Sequence, residues 1–207
     1  MARISPTNTE LLSHVRSLSL FAPWEFPNWS PRPINAFFDC LPSFRYLRHL
    51  TLRNVRIGSD ISERLEVFSA FRYTLSSLTF QDFFLTWSTF IAMVDYFPGV
   101  GDLVIDNPTW ETDHRQASPL SRPLRGRLSI QIWKGHPIFA DRICELEVEC
   151  DELLILGSSD YDPTTRHYQR IINTCGKSLK RLSLSPCACT LQYARDYMLR
   201  TSADTTP

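Results

Sequence analysis

The sequence predicts an α/β fold, an irregular solenoid with mostly parallel strands on one face and helices on the other. The first observation is an apolar triplet at positions one, four and six of a short segment. Its last two members lie on one face of a strand, because side chains alternate there. The triplet is clearest in Leu47-Leu50-Leu52. Six similar segments start at positions 15, 75, 100, 125, 143 and 179, a loose period in the range of stacked repeats.

Between the triplets, apolar residues recur at helical spacing, which adds helices to the architecture. The predicted helices start at Ile34, at Ile61, after a cap at Thr86 or Ser88, and at Thr165, and the last one ends at Cys175 before Gly176. Because each such crossover is long enough to return the chain to the same edge of a sheet, the strands should be parallel.

Two connections break this alternation. Residues 107–125 show no apolar period and are predicted to form an exposed loop. The triplets that start at 125 and 143 are too close for a helix plus loops. The segment Gly135-His-Pro137 is therefore predicted to be a short connection, after which the two strands could pair antiparallel.

The domain organisation follows from the extent of the triplets. Residues 15–190 form the repeat domain, preceded by an N-terminal segment, 1–14, and followed by a capping helix at 191–200 and a disordered tail at 201–207. The first strand is preceded only by a short polar segment containing Leu11 and Leu12. We therefore expect the chain to be part or an isoform of a longer protein, or to pair its first strand with another segment, and to self-associate alone.

The segments LRHLTLRNVRI, LSSLTFQDFFL and LKRLSLSPCAC resemble leucine-rich repeats of the irregular, helix-containing type. The order of the segments FFDCLPSFRYLRHLTL, FPGVGDLVIDNPTW and YQRIINTCGKSLKRLSLSP along the chain is similar to the repeat region of fungal F-box proteins. That resemblance implies that the repeats hold a substrate, while an F-box docks on the adaptor of a cullin ubiquitin ligase. Residues 1–14 do not match an F-box, so the adaptor is expected as a partner only if an F-box lies upstream.

The sequence departs from the regular repeat at its asparagine or cysteine position. The asparagine or cysteine that normally lies three residues after the last strand leucine is Val55, Phe83, Pro108 and Asp151 in four units, and only Cys187 fits. Since that residue ties neighbouring turns together, its replacement predicts uneven curvature.

Composition narrows the partners. The chain has 22 basic and 22 acidic residues, and this balance argues against nucleic acid or an anionic membrane as the partner. Neither a signal peptide nor an apolar run of membrane-spanning length is found, so we expect a cytoplasmic or nuclear protein with reduced cysteines.

Chemical motifs are weak. Gly176-Lys177-Ser178 lacks the upstream glycine of a phosphate-binding loop, which is Ile171 here, and there is no G-x-S-x-G elbow. Cys187 and Cys189 lack the spacing of a zinc site. The sequence therefore predicts a non-enzymatic interaction module without catalytic residues, cofactor or metal. A generic scaffold unconnected to ubiquitination and an unrecognised hydrolase are the alternatives.

The candidate site is the exposed side of the strands, at the positions between and just after the two core residues of each triplet. From these, the residues predicted to bind a protein partner are Thr51, Arg53, Thr79, Gln81, Asp106, Gln131, Glu147 and Glu149. The acidic run from Glu145 to Glu152 has two interpretations, a charged recognition patch or a solvated strand face with cross-strand ion pairs.

Overall fold

A computed structural model of the chain describes residues 9–21, 40–55, 59–111, 120–132, 137–146, 148–157 and 165–184. The strands in these ranges are β1 (Ser17–Phe21), β2 (His49–Arg53), β3 (Ser77–Gln81), β4 (Phe84–Thr86), β5 (Asp102–Asp106), β6 (Thr109–Glu111), β7 (Leu124–Ile132), β8 (Val148–Gly157) and β9 (Arg181–Leu184). The α-helices are α1 (Thr9–Ser13), α2 (Trp87–Tyr96), α3 (Pro137–Cys144) and α4 (Thr165–Cys175). Two 3₁₀ helices span Leu41–Ser43 and Ser59–Phe71.

Seven of the strands form one sheet in the order β1-β2-β3-β5-β7-β8-β9, and every pairing in it is parallel. The order of the strands in space is their order in the chain. A second, smaller sheet pairs β4 with β6, also in parallel. The α/β class and the parallel strands are as predicted.

Two rows of apolar residues run across the seven strands on one face of the sheet. The register aligns Leu18, Leu50, Leu78, Leu103, Leu128, Leu153 and Leu182 in one row. It aligns Leu20, Leu52, Phe80, Ile105, Ile130, Ile155 and Leu184 in the other. In the five central strands both rows are at most 2% exposed. Six of the seven triplets therefore supply the core pair of a strand in the sheet, as predicted.

The triplet that starts at Ile143 was placed wrongly. Ile143 lies in the last turn of α3, Leu146 lies in the turn after it, and β8 begins at Val148. All three side chains are buried, so they are apolar for reasons of packing that the strand spacing only imitates. The true core pair of β8 is Leu153 and Ile155, seven residues further along than the predicted pair.

The same error affected the predicted connection between these strands. The helix α3 lies between β7 and β8, which pair in parallel rather than antiparallel. Pro137 is the first residue of α3, a position where proline is tolerated because its missing N–H would have no partner in the helix. Gly135 and His136 lie outside the described residues.

The predicted loop at 107–125 is ordered at both ends. It contains β6 at its start, and at its end Leu120 and Leu124 are buried. The Ser121 amide donates to the Asp95 carboxylate at 3.0 Å, and Arg122 donates to the carbonyl of Phe97 at 2.7 Å. The end of this segment therefore docks against α2. Residues 112–119 lie outside the described ranges.

The helices agree with the periodicity to different degrees. Thr86 caps α2 by accepting from the amide of Thr89 at 3.2 Å, and α4 has the predicted bounds. The segment Ser59–Phe71 is a 3₁₀ helix, which fits the three-residue spacing of Leu65, Phe68 and Phe71. Most of the first predicted helix, the capping helix at 191–200, the tail at 201–207 and residues 1–8 lie outside the described residues.

Aromatic side chains fill the space between the sheet and the helices. One cluster joins Phe80, Phe83, Trp87, Phe90 and Trp110, with ring centroids 5.1 to 5.5 Å apart. A second cluster joins Phe68, Phe71 and Phe97 at 5.8 to 5.9 Å. Each such pair typically adds about 0.5 to 1.5 kcal/mol beyond its buried area.

Near the start of β7, the backbones of two glycines are in close contact. Gly126 has φ +96°, and a Cβ built there would lie 2.2 Å from the carbonyl oxygen of Gly101. That carbonyl accepts from the Arg127 amide at 2.7 Å. The register with β8 shifts between Gly126 and Arg127, with Asp151 as the extra residue of the bulge.

We expect Gly126→Ala to destabilise the fold strongly. The unfavourable backbone conformation alone costs roughly 1 to 3 kcal/mol, and the clash with the Gly101 carbonyl adds to it. Gly101→Ala is the matched control, because a Cβ there meets nothing within 4 Å, and it should change the free energy of unfolding by less than about 0.5 kcal/mol. Urea unfolding of both variants measures the difference. Equal effects would contradict the described contact.

Candidate interaction surface

The side of the sheet opposite the buried rows, here called the open face, carries three rows of side chains. The first row is Ser17, His49, Ser77, Asp102, Arg127, Glu152 and Arg181. The middle row is Ser19, Thr51, Thr79, Val104, Ser129, Leu154 and Ser183. The third row is Phe21, Arg53, Gln81, Asp106, Gln131 and Leu156. Except for Ser77 and Ser129, which are buried, these side chains are exposed or half-buried.

The middle row is small and uncharged. Five of its seven side chains are serine or threonine, and the other two are Val104 and Leu154. Short side chains leave a shallow strip along the centre of the open face. Such a strip has no charge to desolvate when a partner covers it.

The first row is a ladder of alternating charge at its β5–β9 end. Asp102 accepts from the Ser77 hydroxyl at 3.2 Å and lies 3.7 Å from the Nε of Arg127. In the next pair Arg181 donates to Glu152 at 2.6 Å. These groups are more than one third exposed, so each pair stabilises the fold by less than about 1 kcal/mol. Their main consequence is a locally neutral edge.

The third row begins with an aromatic and an arginine side chain. Phe21 is 56% exposed, and the guanidinium of Arg53 lies 5.4 Å from its ring centroid. The Nε of Arg53 is 3.9 Å from Asp82, which also accepts from the side-chain amide of Asn107 at 2.7 Å. Aromatic and arginine side chains are enriched among the residues that dominate binding energy at protein interfaces.

Three residues in the left-handed backbone region directly follow the carboxyl ends of β2, β3 and β5, beside the third row. They are Asn54, Asp82 and Asn107, with φ of 53°, 48° and 50°. Each amide donates to the carbonyl of the last residue on the open face of the next strand, at 2.9, 2.9 and 2.7 Å. Asparagine and aspartate tolerate this conformation better than other residues with a side chain.

These turn residues were not predicted. The regular repeat has asparagine or cysteine three residues after the last core residue of the strand, whereas here asparagine or aspartate lies two residues after it. At the third position Val55 is half-buried, and Phe83 and Pro108 are buried. Asparagine or aspartate at the same place in three successive units was the available signal.

The predicted partner-binding residues fall into two groups. Thr51, Thr79, Arg53, Gln81, Asp106 and Gln131 lie together in the middle and third rows of the open face. Glu149 is exposed at the start of β8, before the bulge, where it accepts from Arg125 at 3.2 Å. Glu147 lies outside the described residues. The open-face positions of β8 are instead Glu152, Leu154 and Leu156, which were missed with the misplaced triplet.

The described part of the acidic run is paired. Besides Glu149 and Glu152, Asp151 lies 3.1 Å from Lys180, and Glu145 accepts from Arg142 at 2.9 Å. The pairs of Glu149, Asp151 and Glu152 join neighbouring segments, whereas Glu145 pairs with the last turn of α3.

Three free cysteines lie where α3, β8 and α4 meet. Burial raises the pKa of Cys144, and a hydrogen bond to Cys150 raises the pKa of Cys175 well above its usual range. The same bond lowers the pKa of Cys150. The Cys175 thiol therefore stays protonated and packs as a small apolar side chain. Among the described residues, no three histidine, cysteine, aspartate or glutamate side chains are placed to hold a metal ion.

Comparison with known proteins found no matching family model, no matching curated protein and no matching solved structure. In the described ranges, no helix has the length and apolar character needed to cross a membrane.

The turn at Asn107 supports a test of the edge that carries the third row. Asn107→Ala should lower the free energy of unfolding by roughly 1.5 to 3 kcal/mol, because it strains the left-handed backbone and removes the bond to Asp82. Asn107→Gly also removes the bond, but glycine adopts the left-handed conformation without strain. It should therefore lower the free energy of unfolding by less than Asn107→Ala does. Thermal unfolding of both variants decides this, and a glycine variant less stable than the alanine variant would contradict the turn.

Proposed function

We propose that the chain is a protein-interaction module that binds its partner on the open face, as the substrate-recognition repeat region of an F-box-type ubiquitin ligase receptor. Binding on the open face is supported by the uncharged middle row, which lies between the neutralised first row and the side chains of Phe21 and Arg53 in the third. A surface of this kind offers apolar and hydrogen-bonding contact without a large cost of charge desolvation.

The repeat interpretation is supported by the register of the sheet. Aligned core residues, from Leu18 to Leu182, are 25 to 32 residues apart, a narrower range than the triplets alone predicted. Parallel strands in chain order are what a leucine-rich-repeat-like solenoid requires, and helical segments join most of them in the described ranges, the connection from β5 to β7 excepted. The assignment to a ligase receptor rests on the resemblance of the segments to fungal F-box proteins, and a generic scaffold would use the same surface.

The open face also indicates the kind of segment that would fit it. A partner lying across the strands would cover the hydroxyl groups of the middle row and bring its main chain close to the third row. There Gln81 and Gln131 can each donate and accept, while Arg53 can bind a carboxylate. The partner surface is therefore expected to be mixed in polarity and to contain at least one acidic side chain.

A bulky cation in the middle row tests the surface. Thr79→Arg should weaken a verified protein partner at least tenfold, about 1.4 kcal/mol, because the arginine occupies the centre of the strip. Ser69→Arg is the matched control, since Ser69 is exposed on the 3₁₀ helix, on the other side of the core. Partners would be collected by proximity labelling and their affinities measured by calorimetry. Equal loss with both variants, or no loss with Thr79→Arg at an unchanged melting temperature, would contradict the open face as the binding surface.

The ligase assignment has a separate test in the transcript that encodes the chain. An in-frame F-box segment upstream of residue 1 would support the receptor. A full-length transcript without such a segment would favour the scaffold while leaving the binding surface unchanged.

A further inference from the structure

A depression of about 290 Å³ lies at the amino-terminal edge of β1, β2 and β3, away from the third row of the open face. It is lined by Arg16, Tyr46, Arg48, Thr74 and Ser76. Arg16, Arg48 and Ser76 each immediately precede the first residue of a strand. Residues from three successive units therefore meet in this depression.

Among the described residues, no acidic side chain neutralises the two arginines. In the described ranges no carboxylate forms an ion pair with Arg16 or Arg48, and the Arg48 side chain has no hydrogen bond with a described residue. Arg16 donates to the Ser13 carbonyl at 3.2 Å, and its guanidinium lies 4.9 Å from the ring centroid of Tyr46. These contacts orient Arg16, and they bring no negative charge to it from the described part of the chain.

Arginines at the other end of the sheet have the opposite environment. Those at positions 125, 127, 142, 170 and 181 each pair with a carboxylate. Counting the described side chains, the depression is thus a local excess of positive charge in a chain whose net charge is zero. Two guanidinium groups on one concave surface favour an oxyanion, to which arginine can donate two parallel hydrogen bonds.

The hydroxyl groups restrict the oxyanion further. Thr74 donates its hydrogen to the carbonyl of Leu47 at 2.9 Å, and Ser76 donates to the carbonyl of Arg48 at 3.1 Å. With the hydrogens used in this way, both hydroxyl oxygens are left to accept a hydrogen bond from a ligand. A complementary ligand is an anion that also carries an O–H group. Hydrogen phosphate and a protonated phosphate monoester have this property, whereas sulfate does not.

We propose that this depression is a phosphate-binding site, in which Arg16 and Arg48 bind the charged oxygens and Thr74 and Ser76 accept from the acidic O–H. Its volume is close to the lower limit of ordinary ligand pockets, about 300 Å³, so it can hold a free phosphate or the phosphate group of a small monoester. The site is separate from the open face and does not depend on the protein-binding proposal.

The test is a titration of the full chain with inorganic phosphate, glycerol phosphate and sulfate at constant ionic strength. A pH of about 6 keeps the acidic O–H on a substantial fraction of both phosphate ligands. Amide NMR signals of Tyr46, Arg48, Thr74 and Ser76 should shift with both phosphates at concentrations where sulfate has at least tenfold weaker effect. Tighter binding of inorganic phosphate identifies the free ion as the ligand, and tighter binding of glycerol phosphate identifies an ester. Equal binding of sulfate and phosphate, or no binding, would overturn the proposal.

Variants separate the site from general surface charge. Arg48→Gln should weaken phosphate binding at least tenfold, while Arg125→Gln, an exposed arginine on β7, should leave it unchanged. Ser76→Ala should reduce the preference for phosphate over sulfate. Each variant should retain a cooperative melt, because all three side chains are exposed. Equal loss in Arg48→Gln and Arg125→Gln would mean that phosphate responds only to net charge, which contradicts the site.

Discussion

Two rows of buried aliphatic and aromatic side chains hold the seven-stranded sheet in register, and the rest of the described structure depends on that register. Because side chains alternate along a strand, fixing Leu50 and Leu52 toward the core places Thr51 and Arg53 on the open face. The same holds in the next strand for Thr79 and Gln81. A shift of one residue in any strand would exchange the two faces and expose its core pair to water.

The two ends of the sheet use charge differently. From β5 to β9, acidic and basic side chains alternate across neighbouring strands and pair with each other, as in Arg181 with Glu152. At the amino-terminal edge of β1 to β3, Arg16 and Arg48 have no such acidic neighbours among the described residues. Ion pairs of the first kind neutralise a surface, whereas uncompensated arginines in a depression leave a potential that an anion can use. The open face and the depression therefore suit different ligands, because charges are paired on the first and unpaired among the described residues in the second.

Much of the sheet was predictable, because a buried pair at strand spacing is a local signal. The signal was misleading at Ile143. There the spacing of a strand is reproduced by three buried residues, which lie in the end of a helix, in the following turn and at the first position of a strand. The resulting displacement hid α3, suggested an antiparallel pairing and placed Glu149 in the wrong row. Local spacing cannot distinguish which element buries an apolar residue, because burial depends on partners distant in the chain.

The candidate site was predictable only where it follows from alternation along a strand. Thr51, Thr79 and Gln131 lie on the open face as predicted, because each alternates with a core residue of its strand. The turn residue Asn107 and the ion pair of Glu152 with Arg181 depend on contacts between residues 25 and 29 positions apart in the chain. The depression likewise joins Arg16 to Arg48 and Ser76, which only the parallel register brings together.

The register between β7 and β8 is the most direct test, since it fixes both the bulge and the composition of the open face. Methyl NOE measurements on isotope-labelled protein report which side chain packs beside Ile130. The structure predicts a strong NOE from Ile130 to Ile155 and none to Val148, which lies seven residues earlier on β8, roughly 23 Å along the strand. An NOE from Ile130 to Val148, with none to Ile155, would contradict the register and the open face built on it.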